Sequence, residues 1–248
     1  MTKSVLITGA ARGIGAATAR MAATRGYDVC FTYRGREAEA RAVAADIEAC
    51  GQRALAVVSD AGSESDIVAL FERIDREFGR LDAFVGNAGI TGAFTRLDEI
   101  DGDMLRRVVD INVTGLILAC REALRRMSTA HGGPGGSIVL VSSVAARLGS
   151  PGEYVHYAAT KGAVDSLTTG LAREVAREGV RVNAVAPGLI NTDIHGDAGR
   201  PERAAENAPN IPMARPGEAD EIAEAILWLM SDAAGYCTGS VLTVSGGR

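Results

Sequence analysis

The chain has 248 residues, 47% hydrophobic and 23% charged, with a formal net charge of −5. That length and balance suit one domain with a sizeable core. The acidic charge gives no support to nucleic-acid binding, and no apolar run approaches the ~18 residues of a membrane helix.

In chain order, residues 4–8 (Ser-Val-Leu-Ile-Thr) read as a short buried strand. It begins so close to the N-terminus that no signal peptide is expected. A glycine-rich turn from Gly9 to Gly15 follows, then a helix over 13–25. Further strands are expected at 28–33, 53–58, 81–86, 136–142, 180–186 and 240–244. Helices are expected between them at 36–50, 64–78, 103–127, 155–177 and 218–231. Near-continuous apolar strands alternating with amphipathic helices predict an α/β fold, a doubly wound parallel sheet of about seven strands, Rossmann-type, with helices on both faces. No internal repeat or linker interrupts residues 1–248, so one domain is expected. The run His131-Gly132-Gly133-Pro134-Gly135-Gly136 reads as a surface turn. Residues 189–216, with Pro201, Pro209, Pro212 and Pro216, form the one long irregular stretch. A loop of that length in a compact domain points to a lid. The cysteines Cys30, Cys50, Cys120 and Cys237 lack metal spacing. They read as buried or half-buried small residues in a reducing cytoplasm, the expected location. With three histidines and no ligand cluster, no metal site is expected.

Three motifs fall at the C-terminal ends of strand candidates, where open α/β sheets bind ligands, and a fourth lies on the helix candidate that follows the third. The first is Thr8-Gly9-x-x-x-Gly13-x-Gly15, a wider spacing than G-x-G-x-x-G. Strand, glycine turn and helix present backbone N–H groups and a helix dipole to a dinucleotide pyrophosphate. The second is Gly86-Asn87-Ala88-Gly89, the third Ser142-Ser143, and the fourth Tyr157-x-x-x-Lys161. Tyr157 and Lys161 share a helix face at that spacing. An ammonium beside a phenol favours phenolate and brings its pKa toward working pH. That makes a proton donor and acceptor suited to interconverting carbonyl and alcohol. Tyr154 lacks a lysine four residues on, because Ala158 stands there. Ser142 and Ser143 point to opposite faces of an extended strand end, so only one serves.

On these residues, together with Asn112 and Pro187-Gly188 followed by Thr192, the chain resembles the short-chain dehydrogenase/reductase family in its form of roughly 250 residues. The resemblance implies a nicotinamide cofactor held by Gly9, Arg12, Gly13, Ile14, Gly15, Tyr33, Arg34, Asp60, Ala61, Asn87, Ala88, Gly89, Pro187, Gly188, Ile190 and Thr192, with Tyr157 and Lys161 at the ribose end. It implies Tyr157 as general acid, Ser143 as carbonyl-binding hydroxyl, and Lys161 as ribose ligand lowering the Tyr157 pKa. Asn112 matches the helix asparagine that orders a water beside the lysine. Taken alone, Asn112 reads as a helix-interior polar residue and Asp60 as a cap before Glu64. The family pattern of serine, five residues and glycine fits Ser143 to Gly149. Two departures stand out: Gly149 to Tyr157 is one residue longer than commonest, and Gly86 replaces the commoner asparagine.

Cofactor choice follows from charge. Residues 31–36 read Phe-Thr-Tyr-Arg-Gly-Arg, with no carboxylate before Glu37. Tyr33 takes the position where an acidic residue accepts the NAD ribose, and Arg34 follows it. A guanidinium fork suits an extra phosphate, and Arg12 is placed to approach it. NADP(H) is therefore expected over NAD(H). The partner is a small-molecule carbonyl or alcohol: a ketone, aldehyde or sugar-like compound. Ile90, Ala145, Arg147, Tyr154, Leu189, His195 and Met213 are candidate pocket residues. A 3-oxoacyl thioester is a second substrate reading, with Arg125, Arg126, Arg173 and Arg177 as the candidate docking patch. A non-catalytic NADP(H)-binding protein is a third. The resemblance also implies a homotetramer built on 103–127, 155–177 and the C-terminal run.

Overall fold

The structure is a computed structural model describing residues 2–248, with the side chains of His195 and Asp197 left out. Seven strands form one parallel sheet: β1 Ser4–Ile7, β2 Asp28–Tyr33, β3 Ala54–Val58, β4 Ala83–Gly86, β5 Gly136–Val141, β6 Val180–Pro187 and β7 Val241–Val244. Their order is β3-β2-β1-β4-β5-β6-β7, so the chain reverses its direction of travel between β1 and β4. The helices are α1 Gly13–Thr24, α2 Glu37–Ala49, α3 Glu64–Glu77, α4 Gly102–Val109, α5 Leu116–Met127, α6 Ala145–Leu148, α7 Val155–Val175, α8 Ile194–Asp197, α9 Arg203–Asn207 and α10 Ala219–Met230.

The sheet is apolar on both faces because alternate side chains leave it in opposite directions. Val5, Ile7, Val29, Phe31, Val85, Val139 and Val185 face one layer, packed with residues of α1, α2 and α10. Leu6, Cys30, Phe84, Ile138, Leu140 and Ala184 face the other, packed with α3, α5 and α7. Polar side chains set several helix starts. Ser63 caps α3 by accepting from the Asp66 N–H, and Asp101 caps α4 by accepting from the Asp103 and Met104 N–H groups. Glu218 and Glu221 form a reciprocal capping box at α10. Among the described residues no helix is long and apolar enough to cross a membrane.

The structure corrects three expectations. The helix expected over 103–127 is divided: a π-helical turn, Asp110–Gly115, separates α4 from α5. Gly115 is pressed against Ala61, and a Cβ there would lie 1.7 Å from the Ala61 carbonyl oxygen. A wide turn accommodates this approach and re-aims the side chains it carries. Residues 189–216 are not irregular throughout, because α8 and α9 lie within them and Ala204 packs with Leu189 and Ile211. Cys50 is exposed, since it ends α2 just before the turn at Gly51. Cys30 and Cys120 are buried, and burial pushes the Cys120 thiol up to about 12.

Candidate active site

The C-terminal ends of β1, β4, β5 and β6 converge on one cleft. At β1 the chain turns at Gly9 (φ 67°) and Gly13 (φ 54°), values glycine adopts without strain. A Cβ on Gly15 would lie 2.6 Å from both the Gly9 carbonyl oxygen and the Asn87 amide nitrogen. One on Gly9 would lie 3.0 Å from the Ala88 Cα. The turn is thus bare of side chains where it passes the β4 end. Asn87 locks the two together: its Nδ2 donates to the Thr8 and Gly9 carbonyls at 2.8 and 3.0 Å. The Asn87 and Ala88 N–H groups both donate to Thr8 Oγ1 at 3.0 Å. Thr32, which sequence reasoning did not single out, accepts from the Gly9 N–H at 3.0 Å. At Gly86, side-chain space is already filled, because a Cβ would lie 2.5 Å from the Leu116 methyl and 2.9 Å from that of Leu140.

An elongated cleft of about 450 Å³ runs along this turn. Gly9, Arg12, Gly13, Ile14, Gly15, Tyr33, Arg34, Asp60, Ala61, Asn87, Ala88, Gly89 and Thr192 all line it. Pro187, Gly188 and Ile190 line the adjoining cavity beyond Ile14. The bare turn and its aligned N–H groups fit a dinucleotide pyrophosphate. One end of the cleft is basic. Arg12, Arg34 and Arg36 all line it. Burial first, and repulsion by Arg36 second, lower the Arg12 pKa, while Asp193 at 3.6 Å opposes the shift. Asp60 is held by Arg107, whose Nη2 donates to both carboxylate oxygens at 2.7 Å; Arg34 lies 3.7 Å away. Burial raises the Asp60 pKa, but these cations and the Gly62 N–H outweigh it and hold the carboxyl below its usual range. Arg107 was not legible beforehand, since its partner lies 47 residues away.

The second cavity, about 130 Å³, opens over Tyr157. Ser142 and Ser143 diverge as the strand geometry requires. Ser142 is buried and its hydroxyl donates to Asp165, whereas Ser143 lines the cavity together with the Tyr157 side chain. Lys161, one turn along α7, donates from Nζ to the Val141 carbonyl at 2.7 Å and lies 5.6 Å from the Tyr157 ring centroid. Burial dominates at Tyr157 and pushes its pKa up, with the Ser143 hydroxyl pulling the other way. The expected lowering by Lys161 is therefore not the governing influence: the ammonium sits over the ring and is engaged at Val141. A phenol so placed stays protonated near neutral pH, the form that donates.

Asn112 projects from the π-helical turn and is 1% exposed. Its Oδ1 accepts from the Ile90 N–H at 2.9 Å, and its Nδ2 donates to the Ile90 carbonyl at 2.8 Å and to Thr160 at 3.1 Å. It thereby fixes the chain just after Gly89 against α7. A Cβ on Gly89 would lie 3.3 Å from Asn112 Oδ1 and 3.6 Å from Lys161 Nζ, so this glycine keeps the space between them open.

Burial lowers Lys161 from 10.5 to about 8, against the opposing pull of Asp165. The folded value lies below the unfolded one, so between these pH values the unfolded chain binds more protons. The burial penalty is present in full below about pH 8 and is relieved as pH rises through that window toward 10.5. Guanidinium denaturation of the cofactor-free protein and of Lys161→Met should show the difference, wild type minus variant, moving in favour of wild type over that window. A flat or falling difference contradicts the assignment.

Of the other candidate pocket residues, Ala145, Tyr154 and Leu189 line the cavity. Ile90 lines the elongated cleft instead. Arg147 is turned away and donates to Thr243 at 2.7 Å. Met213 is 60% exposed, since its backbone N–H is tied to the Gly246 carbonyl outside the cavity. The side chain of His195 lies outside the described part of the structure. Phe94, Arg203 and Arg248 line the cavity without having been anticipated. Arg125 and Arg126, candidates for a docking patch, are engaged by Glu122, and Arg126 also by Asp75. Arg173 and Arg177 are exposed. Among the described residues no group of three or more His, Cys, Asp or Glu is placed to hold a metal ion.

A family model described as enoyl-(acyl carrier protein) reductase matches residues 9–248. The chain is 48% identical over 243 residues to the uncharacterized oxidoreductase YgfF of Escherichia coli K12, covering 98% of each. A short chain dehydrogenase of Burkholderia cenocepacia, solved with NADP, superposes with TM-score 0.91 at 33% identity, covering 99% of this chain and 97% of that one. A 3-ketoacyl-(acyl-carrier-protein) reductase of Brucella melitensis, solved with NADH, gives TM-score 0.91 at 34% identity, covering 99% and 98%.

Proposed function

The chain belongs to the short-chain dehydrogenase/reductase family of oxidoreductases, and from that premise we propose that it is an NADP(H)-dependent enzyme interconverting a carbonyl and an alcohol on a small molecule. The observation that carries this reading is the grouping of Ser143, Tyr157 and Lys161 in one cavity, directly beyond the glycine turn. When bound, the nicotinamide supplies or accepts hydride. Ser143 hydrogen-bonds the substrate oxygen and orients it, stabilising the charge that develops there. Tyr157 delivers the proton to that oxygen in reduction and removes it in oxidation. Lys161, held at Val141, keeps further N–H donors that would hold the nicotinamide ribose, and it favours the phenolate once the proton has left. Asn112 positions the Gly89–Ile90 backbone that walls this space. Residues 189–216 serve as the lid over the substrate.

NADP(H) preference rests on Arg34, 71% exposed on its side chain, and on Arg12, which lines the same cleft. A phosphate can draw on both, while Arg107 neutralises Asp60. Arg34→Ala is expected to raise the NADPH KM about 10-fold, the low end for a charge-assisted hydrogen bond, with NADH little changed. Equal effects on both cofactors, or NADH binding as tightly as NADPH to wild type, would overturn the preference. The whole reading is tested by initial rates of NADPH oxidation with ketones, aldehydes, sugars and a 3-oxoacyl thioester. Turnover confined to the thioester would favour the second reading, which draws on the likeness to the Brucella reductase. No turnover in folded, cofactor-binding protein would leave a binding role. A homotetramer is consistent with the exposed Val109, Ile117 and Val155 on the helical face, and light scattering at the mass of one chain would contradict it.

A further inference from the structure

The cavity over Tyr157 contains a cation that carbonyl chemistry does not call for. Arg203, on α9 within the stretch 189–216, is 4% exposed and lines the cavity. Its guanidinium carbon lies 5.1 Å from the Tyr154 ring centroid and 5.5 Å from that of Phe94. Tyr154 in turn stacks edge-on against Tyr157 at 5.4 Å. Nη2 donates to Glu153 at 2.6 Å, but Nε is buried without a hydrogen-bond partner. A guanidinium keeps its charge and carries five donors. Leaving one desolvated and unpaired is costly, so this N–H calls for an acceptor that the surrounding protein atoms do not supply.

The rest of the wall agrees. The charged residues among the described lining are Lys161, Arg203 and Arg248, all basic, with no Asp or Glu among them. Burial, with Glu153, raises the Tyr154 pKa, and Arg203 and Arg248 oppose that shift, so both cations act on the same phenol. The space is small, about 130 Å³, and its remaining lining is largely apolar.

We propose that Arg203, assisted by Arg248, receives a carboxylate on the substrate, so that the preferred substrates are small oxo acids or the corresponding hydroxy acids. The inference rests on the assignment of Tyr157 and Ser143 to the carbonyl end. Nε–H and one Nη–H point the same way and match the two oxygens of a carboxylate, a bidentate geometry that lysine lacks. The Phe94 and Tyr154 faces hold the guanidinium plane in place for that contact. The carbonyl then lies at Ser143 and Tyr157, with an apolar chain of a few carbons spanning the interval.

The test compares 4-oxopentanoate and 5-oxohexanoate with their methyl esters, using NADPH. Wild type is expected to favour the acids in kcat/KM by about 10- to 100-fold, the range of a charge-assisted hydrogen bond. Arg203→Met keeps an apolar stem against the rings. It should abolish that preference by lowering rates with the acids far more than with the esters. Arg203→Lys should recover part of the preference. Equal rates for acid and ester in wild type, or a proportional loss for both in Arg203→Met, would overturn the proposal and leave Arg203 as a fastener of α9 to Glu153. Esters turned over in a Tyr157-dependent way without any acid preference would overturn this inference alone. If wild type reduced none of these compounds, the reductase reading itself would be at stake. Calorimetry with pentanoate and pentanamide on NADP-loaded protein then decides the anion site: tighter pentanoate binding that Arg203→Met removes supports it, and equal binding refutes it.

Discussion

Replacing Tyr157 with Phe is expected to lower kcat by about 10²- to 10⁴-fold, the range a positioned proton donor contributes, with NADPH affinity unchanged. The split follows from the position of the hydroxyl. It lies in the cavity that Ser143 also lines, while the ring is held by Tyr154 on one side and the Lys161 ammonium on another. Phe keeps the ring contacts and removes only the proton source. A loss appearing chiefly in KM would instead mark Tyr157 as a binding residue, because a group acting on the reacting proton is felt in kcat. Substantial remaining turnover would exclude the mechanism. Stopped-flow rates at saturating NADPH, with cofactor affinity from fluorescence titration, separate these cases.

Gly115→Ala is expected to destabilise the fold by about 3 kcal/mol or more, at or beyond the upper end for overpacking a filled site. Helix propensity alone gives the opposite sign, since Ala is favoured over Gly in a helix by about 1 kcal/mol. The clash decides, because the added Cβ would lie 1.7 Å from the Ala61 carbonyl oxygen, a backbone atom that cannot swing aside. Relief requires moving the π-helical turn or the β3–α3 connection. Either shift disturbs Ala61 in the cofactor cleft, and the former also disturbs Asn112 and its bonds to Ile90. Chemical denaturation should therefore show a large loss of stability, and any protein that folds should bind NADPH more weakly. A stability at or above wild type would contradict the close approach on which the division of the helix depends.

The parts of this molecule legible in its sequence are those set by local pattern. Runs such as Val29-Cys30-Phe31 and Ile138-Val139-Leu140 identify strands buried on both faces, and the bare Gly9–Gly15 turn identifies the cofactor edge. Tyr157 and Lys161 could be paired because helix periodicity brings them together, whereas the preference for Ser143 over Ser142 came from the family pattern that the resemblance implies. What escaped depends on approach between distant segments. Gly115 resembled an ordinary helix glycine until Ala61 came against it. Arg107 and Asp60, and Arg203 with Tyr154 and Phe94, are brought together by the fold across tens of residues. Met213 read as a pocket residue from its position in the long stretch, yet the backbone tie to Gly246 carries it outside. The balance at Tyr157 was also hidden. Adjacency to Lys161 argued for a lowered pKa, whereas burial, which no spacing reports, prevails.

On the proposed mechanism, hydride passes between a nicotinamide and a carbonyl carbon under control of Tyr157. NADPH deuterated at C4 of the nicotinamide, incubated with a ketone the enzyme reduces, tests it directly. Mass spectrometry of the alcohol is expected to place the deuterium on the carbinol carbon with wild type and to find almost no labelled alcohol with Tyr157→Phe. Alcohol formed without deuterium from either labelled face of C4, or labelled equally well by the variant, would contradict the account.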